Sequence, residues 1–282
     1  MKKTFLLFVL IATVQAAFAQ GAPSLLVPVD ARSLSLGGVM LPQDATKLGI
    51  QAFYGMWAPQ SAKQTMIGGD VLFRASNRIA LSAEARTFKT DPYVSTSPQG
   101  ATKESFQPTS IIAGMGVSVQ VLDALAVNVK GRILSSSIAE DAKGDAFCGD
   151  LTLAYTGNIV RASLSACNLG SKLRYGSGTA YALPSLISLQ ADTRPIKGLT
   201  VGAEVEYLFS GAMMAGLGAE YSIADIVSLR GGFHYGDPVK AIPMYASLGL
   251  GLQFAGAHLD IAFLSASKTL GNTLLISLGY TF

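Results

Sequence analysis

Apolar and polar residues alternate with a period of two over most of this chain. In residues 111–121 the odd-numbered positions, from Ile111 to Val121, are all apolar, whereas the even-numbered positions include Ser118 and Gln120. The same alternation recurs in residues 199–209. This pattern predicts β-strands that have one apolar face and one face that is small or polar.

Repeated alternation of this kind predicts fourteen strands. Most runs have the length of about 9 to 11 residues that a tilted strand needs to cross a bilayer. We place the strands at 47–57, 65–74, 78–88, 109–121, 125–135, 147–156, 159–168, 184–194, 199–209, 212–221, 227–235, 244–254, 257–265 and 273–282. In lipid every backbone polar group needs a partner within the protein, so a sheet of such strands has to close. The sequence therefore predicts an all-β fold, a transmembrane antiparallel up-and-down β-barrel of about 14 strands.

The connectors between these strands alternate between short and long. An even strand number places both termini on the periplasmic side, and the connectors that then fall in the periplasm are all short. Most of the connectors that fall outside are longer, among them 89–108, 136–146 and 169–183. Short periplasmic turns and longer external loops are typical of outer-membrane barrels.

Composition narrows the class of protein further. Half of the residues are hydrophobic, only 14% are charged, and the mean hydropathy is +0.40. Beyond residue 19 the chain has no uninterrupted apolar stretch of about 18 residues, which argues against membrane-spanning helices. The formal charge is +3, and removing Lys2 and Lys3 with a leader leaves +1. Such a balance does not suggest a nucleic-acid partner.

The N-terminus has the plan of a cleaved signal peptide. Lys2 and Lys3 precede a short apolar run, and Ala17-Phe18-Ala19 matches the small-residue cleavage pattern. We therefore divide the chain into a signal peptide (1–19), a short N-terminal plug or periplasmic segment (20–46) and the barrel (47–282).

The C-terminus resembles the signal that the barrel-assembly machinery reads in outer-membrane proteins. Apolar residues alternate from Leu274 to a terminal Phe282. Together with the signal peptide, this end predicts an integral protein of the bacterial outer membrane, with outer-membrane lipid as its surroundings.

Charged residues collect on the predicted inner face of the barrel. Acids and bases are nearly balanced there, so we expect a salt-bridge network that fills the lumen; a selective pore is usually biased to one sign. A polar path for a solute is the alternative. The set comprises Asp70, Glu84, Arg86, Lys130, Arg132, Asp150, Arg161, Asp192, Glu204, Glu206, Glu220, Arg230, His234, His258 and Asp260.

The sequence has none of the motifs that carry catalysis or cofactor binding. It lacks a nucleophile elbow, a zinc-protease helix motif, a phosphate-binding loop and a Cys-x-x-Cys pair. We expect no catalytic residue, no cofactor and no metal, and we interpret the chain as a non-enzyme. Trp57 and most tyrosines lie near strand ends, where they are typical of an interfacial girdle.

Cys148 and Cys167, the two cysteines of the chain, are expected to form a disulfide. If Gly157-Asn158 is a two-residue turn, the register places Cys148 directly opposite Cys167. The compartment is oxidising for an exported protein, which favours the bond. Two free thiols are the alternative.

Several short motifs resemble the PorV/PorQ family of type IX secretion proteins, which are barrels of the same class as the FadL fatty-acid channels. Asp30-Ala31-Arg32-Ser33-Leu34-Ser35-Leu36-Gly37-Gly38 is similar to the family's opening, and Tyr54-Gly55-Met56-Trp57-Ala58-Pro59 to its first hairpin. Asn168-Leu169-Gly170-Ser171-Lys172-Leu173-Arg174-Tyr175, with Leu183-Pro184, resembles the stretch before its eighth strand, and Leu270-Gly271-Asn272-Thr273 fits the stretch before its last one. The family's Asn-Pro-Ala segment is missing between residues 42 and 52, so we expect neither a full plug nor a FadL-like hydrophobic gate.

This resemblance implies a secretion accessory, a shuttle or anchor component, that binds the secretion apparatus or its cargo through outer loops. Exposed aromatic residues beside basic ones are common interface anchors, and the candidates here are Tyr93, Phe106, Lys172, Arg174, Tyr175 and Tyr181. The alternative is a FadL-like transporter of hydrophobic small molecules. A continuous apolar lumen would favour this alternative. An outer-membrane hydrolase would need a Ser/His pair that the sequence does not place.

Overall fold

The computed structural model of this chain describes six segments of it. They are residues 21–28, 30–41, 47–58, 63–96, 102–265 and 267–282. The predicted signal peptide, residues 1–19, lies outside them. Among the described residues, no helix is long and apolar enough to cross a bilayer.

The described chain forms a closed antiparallel β-barrel of fourteen strands, which confirms the predicted fold class. Every barrel strand pairs with its neighbour in the chain, and β1 closes the barrel on β18, where Gly49 faces Thr281. The barrel strands are β1 (Leu48–Trp57), β2 (Gln64–Arg74), β3 (Ile79–Lys89), β6 (Thr109–Leu122), β7 (Leu125–Ala139), β8 (Ala142–Thr156), β9 (Val160–Gly170), β12 (Leu186–Ile196), β13 (Leu199–Leu208), β14 (Met213–Ile223), β15 (Val227–Gly236), β16 (Tyr245–Phe254), β17 (Ala257–Ser265) and β18 (Leu274–Thr281).

Two small hairpins stand outside the barrel, each within a long outer connector. The first is β4 (Tyr93–Thr96) with β5 (Thr102–Phe106), and the second is β10 (Leu173–Arg174) with β11 (Ala180–Tyr181). The sequence predicted loops at both places, because these strands are too short to show a clear alternation.

The alternation separates the two faces of the barrel wall as the sequence predicted. On β6 the side chain of Met115 is 74% exposed on the outer face, whereas Ile112 is fully buried on the inner face. Ile133 and Leu248 are further outward residues that are mostly exposed. An apolar outer belt is what a bilayer-spanning barrel presents to lipid.

Turn chemistry explains the tight connectors on the side where β1 begins. Ala255 and Gly256 both have positive φ, 50° and 85°, and they join β16 to β17 as a two-residue turn. Turns with positive φ at both central residues match the twist of the strands that they connect.

One predicted outer loop is wrong. The sequence predicted a connector over 136–146. In the structure β7 and β8 extend into this range from both sides, and only residues 140–141 remain between them. Ser136 pairs with Gly144 and Ser135 with Asp145 in the ladder. Small polar residues resemble loop sequence, yet here they keep the period of two and extend the sheet.

The N-terminal segment lies inside the barrel. Residues 21–28 and 30–41, which we name the plug segment, contain a 3₁₀ turn (Pro23–Leu25) and a short helix α1 (Ala31–Ser35). Asp30 caps α1 by accepting a hydrogen bond from the Ser33 amide at 2.6 Å. The amide of Ala31 donates to Ser277 Oγ on β18 at 2.9 Å, which ties the start of the helix to the inner wall.

Candidate functional site

A wall of glycines receives the plug segment. These glycines occupy inward positions on four adjacent strands, and a Cβ atom at any of them would collide with residues 35–41 of the plug. They are Gly202, Gly216, Gly218, Gly232 and Gly249. The absence of side chains on this part of the wall lets the plug backbone lie directly against β13–β16.

Charged and polar side chains fix the plug on the same wall and on the opposite one. Arg32 of α1 donates two hydrogen bonds, both 2.8 Å long, to the carboxylate of Glu220. Gln190 Nε2 donates to the Met40 carbonyl at 2.7 Å, and an Arg86 guanidinium nitrogen donates to the Val27 carbonyl at 3.2 Å. These contacts hold the described plug segment to the barrel wall near its start, at α1 and near its end.

Most of the charged inner-face residues form ion pairs. Arg230 bridges Glu220 at 2.6 Å and Asp260 at 2.5 Å. On the other side of the barrel, Lys130 lies 3.0 Å from Glu84. Two further pairs, each 2.5 Å long, are Arg132–Asp150 and Arg161–Asp192.

Two members of the predicted charge set, Arg86 and Glu204, have hydrogen-bond partners in place of an ion pair. Arg86 contacts the plug carbonyl described above. Glu204 accepts a hydrogen bond from the Ser188 hydroxyl at 2.5 Å. Neither Glu204 nor Glu206 has an ion pair with any cation in the described part of the chain.

The two histidines predicted to face the lumen do so separately. His234 Nδ1 lies 3.2 Å from the Gly37 carbonyl of the plug, and His258 Nε2 lies 3.1 Å from Gln51 Oε1. Within the described residues, no group of three or more His, Cys, Asp or Glu has an arrangement that could hold a metal ion.

The outer end of the lumen is apolar, which the sequence analysis did not expect. The inward residues at the outer ends of the strands form a buried apolar layer above the ion pairs. Its members include Met66, Phe88, Ile112, Leu134, Leu208, Met214, Leu264 and Leu275. All of them occupy the alternate strand positions that face the lumen. The sequence analysis considered only the charged residues at such positions; including the apolar ones would have found this layer.

An outer cavity of about 670 Å³ adjoins this layer and shares Phe88 with it; the cavity wall is largely apolar and also includes Ser110, Ser136 and Ser210. Trp57 and Phe88 form part of its wall, Val27 of the plug closes it from below, and Ile242 belongs to the opposite wall. Trp57 is only 8% exposed, so its assignment to the interfacial girdle is wrong: the side chain faces the lumen. The strand alternation places residue 57 inward, and this parity outweighs the general preference of tryptophan for interfaces.

Residues of the outer loops form the rim of this cavity. The loop after β15 contributes Lys240, and its turn is fixed by the amides of Val239 and Lys240, which donate to Asp237 Oδ1 at 2.8 and 3.0 Å. These two hydrogen bonds lower the pKa of the Asp237 carboxyl. The Tyr175 hydroxyl lies 3.0 Å from Ser136 Oγ, which brings the second hairpin to the rim as well.

The six residues predicted for partner binding divide into two groups. Tyr93 donates to the Ile138 carbonyl at 2.7 Å and packs on Phe106 with the ring centroids 6.0 Å apart. Lys172 and Arg174 are exposed. Tyr175 and Tyr181 are half-buried, and their ring centroids are 6.4 Å apart. The structure thus gives these tyrosines contacts within the hairpins and with β7, whereas the two basic residues are exposed.

A second, polar cavity of about 370 Å³ lies below the plug. Arg32, Glu220, Arg230 and Asp260 line it together with Thr200. The plug segment therefore separates an apolar outer cavity from a polar inner one.

The expected pairing of the two cysteines is wrong. Both are free, and the register places Cys148 opposite Gly170. The turn is longer than predicted, because Thr156 faces Arg161, and a bulge beyond Leu151 shifts the pairing again. The disulfide was predicted on the premise of a two-residue turn. Because the turn is longer, the two cysteines do not face each other and the predicted bond does not form.

Comparison with solved structures identifies the architecture. The chain has a FadL-like fold. It matches the Ralstonia pickettii toluene transporter TbuX with a TM-score of 0.65 at 12% identity, over 91% of this chain and 99% of that one. The P. putida toluene transporter TodX gives a TM-score of 0.66 at 12% identity, over 91% and 99%. A Pseudomonas aeruginosa FadL homologue gives 0.58 at 12% identity, over 95% and 100%.

These likenesses concern the fold, since the identities are low. No protein-family model and no curated protein matches the sequence. The FadL-like part of the resemblance noted in the sequence is thus supported by structure, whereas the PorV/PorQ part is not shown.

Proposed function

We propose that this chain is an integral protein of the bacterial outer membrane that admits small hydrophobic molecules, without enzymatic chemistry. The observation that carries the proposal is the apolar outer cavity, closed from below by a plug segment. Its volume of about 670 Å³ lies within the range of small-molecule pockets. This is the alternative from the sequence analysis; no contact described above favours the secretion-accessory reading.

The division of the lumen supports this function physically. A hydrophobic solute gains about 25 cal/mol for each Å² of apolar surface that it removes from water, so the apolar layer can extract it at the outer face. The ion-paired lower lumen offers no such gain. The neighbours in fold are named as transporters of toluene or channels for monoaromatic hydrocarbons, which gives a solute class for the first tests.

Passage past the plug requires the plug segment to move. Val27 closes the cavity, and the segment below it fills the lumen along the glycine wall. We therefore expect transport in discrete opening events rather than through a standing pore. Outer-membrane lipid surrounds the apolar belt, and no nucleic acid takes part.

The test is uptake of a labelled monoaromatic hydrocarbon by bacterial cells that express the protein and have no other hydrophobic channel. Ser110 lines the outer cavity, and Ile111 is exposed on the outer face of the same strand. Ser110→Phe should fill the cavity and reduce uptake to the level of cells without the protein, whereas Ile111→Phe should leave uptake unchanged. Equal uptake with and without wild-type protein would overturn the proposal.

A further inference from the structure

Three hydroxyl groups form a hydrogen-bonded row on one wall of the outer cavity. Ser110 Oγ lies 3.0 Å from Ser136 Oγ, which in turn lies 3.0 Å from the Tyr175 hydroxyl oxygen. All three residues line the cavity, and we name them the hydroxyl row. Ser110 and Ser136 are direct partners in the ladder between β6 and β7, so the barrel wall itself fixes two of the three hydroxyls.

The hydroxyl row has one proton more than it uses. Each hydroxyl has one proton to donate and two lone pairs that accept. Three hydroxyls joined by two hydrogen bonds therefore use two of their three protons, in whichever direction the bonds run. In the described part of the chain these hydroxyls have no further hydrogen bond. One donor and several lone pairs of the row are thus left for another molecule.

The two ends of the row are accessible from the cavity. Ser136, in the middle, is only 4% exposed. Ser110 and Tyr175, at the ends, are half-buried. A molecule in the cavity therefore reaches the row at its ends, while the middle hydroxyl keeps the two ends in place.

Apolar side chains lie directly beside and beneath the row. Ser110 faces Phe88 across β3 and β6, and Phe88 lines the same cavity. The next inward residues on β6 and β7, one step deeper in the lumen, are Ile112 and Leu134 of the apolar layer. Side chains of paired strand residues lie about 4.5–5.5 Å apart. An aromatic ring that packs on Phe88 therefore places a substituent one carbon away within reach of Ser110.

The charges around the cavity favour a neutral substituent. Among the described residues that line it, none is a carboxylate, and the one cation, Lys240, is exposed at the rim. An ionised group buried at the row would lack a partner of opposite charge, which is costly. A hydroxyl, in contrast, both donates and accepts, and so it matches the unused donor and lone pairs of the row.

We infer that the outer cavity binds a neutral monoaromatic molecule that carries a hydroxyl group, an aromatic alcohol or a phenol. The hydroxyl row binds the oxygen of this solute, and its ring lies against Phe88 and above Ile112. This inference rests on the proposed function and narrows its solute class from plain hydrocarbons to hydroxylated ones.

The experiment measures binding through Trp57, which is the single tryptophan of the chain and lines the cavity. Purified full-chain barrel in lipid nanodiscs is titrated with benzyl alcohol and, separately, with ethylbenzene, which has a methyl group in place of the hydroxyl. A cavity without a hydrogen-bond partner would bind the alcohol at least about tenfold more weakly than the hydrocarbon. We expect the wild-type affinities to lie within about threefold of each other, because the row replaces the hydrogen bonds that the alcohol loses to water.

Variants test whether the row is responsible. Ser110→Ala, Ser136→Ala and Tyr175→Phe together remove its three hydroxyls and change the shape of the cavity little. In this triple variant the alcohol should bind at least about tenfold more weakly than ethylbenzene. The control combines Ser135→Ala with Tyr155→Phe, which removes hydroxyls from the exposed face of β7 and β8 and should keep the wild-type ratio. If the triple variant does not assemble, the wild-type ratio decides.

The outcomes separate this inference from the proposed function. A wild-type protein that binds ethylbenzene at least tenfold more tightly than benzyl alcohol would overturn the hydroxyl site and leave a hydrocarbon cavity in place. A triple variant with the wild-type ratio would also overturn it. Failure of both ligands to bind the wild-type protein would contradict the proposed function itself.

Discussion

Arg32 is the residue that binds the plug most directly to the barrel wall. Its guanidinium pairs with both oxygens of Glu220, and the same carboxylate also accepts from Arg230. A bidentate pair of this kind fixes orientation as well as distance. Sequence analysis placed Glu220 and Arg230 on the inner face but assigned Arg32 only to a motif, because nothing local reveals which wall residue the plug will meet.

Replacing Arg32 should loosen the plug. Charged hydrogen bonds contribute roughly 1.5–3 kcal/mol each, and Glu220 keeps Arg230 as a partner, so we expect Arg32→Ala to destabilise plug seating by about 2 kcal/mol. Planar-bilayer recordings should then show conductance bursts that are rare in the wild-type protein. Arg78→Ala, at an exposed turn position, is the control. Equal burst frequency in both variants would show that this contact does not restrain the plug.

At the scale of elements, the plug and strands β13–β16 fit each other through missing side chains. Glycines recur at inward positions of these strands, and the plug backbone lies where Cβ atoms would otherwise be. The alternation places these glycines on the inner face but does not show which residues approach them. Strand positions are a local property, whereas the approach of residues 35–41 depends on how the whole barrel closes.

A side chain on this wall should displace the plug. A Cβ at Gly218 would lie 2.5 Å from the Leu36 carbonyl oxygen, so Gly218→Val should destabilise the seated plug by about 1–3 kcal/mol through overpacking. Limited proteolysis of the reconstituted protein should cut residues 21–41 faster than in the wild type. Gly131→Val is a matched control on the outer face of β7, where a Cβ would meet no atom within 4 Å. A cleavage rate in Gly218→Val no faster than in this control would contradict the fit.

The whole molecule is a closed ring of hydrogen-bonded strands, and closure depends on its two ends. β1 pairs with β18 along its length, and the amide of Phe282 donates to the Leu48 carbonyl at 2.8 Å. With no free edge, unfolding has to break a complete barrel rather than peel a strand. The outward Phe282 ring also packs on Tyr280, with the centroids 4.6 Å apart.

The closed barrel should be heat-modifiable. Unboiled protein should migrate differently from boiled protein in a denaturing gel, because the intact ring resists detergent. Deleting Phe282 should reduce the folded fraction recovered from membranes, and deleting Gly178, in the exposed connector between β10 and β11, should do so much less. Equal recovery of the Phe282 deletion and the wild-type protein would contradict the role assigned to the C-terminal residue.

The sequence by itself determined the strands, their faces and the barrel class. Side chains alternate between the two faces of any β-strand, so the period of two can be recognised from neighbouring residues alone. Only the tertiary structure decided where the plug runs, that the outer lumen is apolar around Trp57, which charges pair, and that Glu204 and Glu206 do not. Each of these depends on registers across many strands. A longer turn after Thr156 and one bulge were enough to separate Cys148 from Cys167. Such shifts arise from barrel closure and twist, which act over distances that no local pattern encodes.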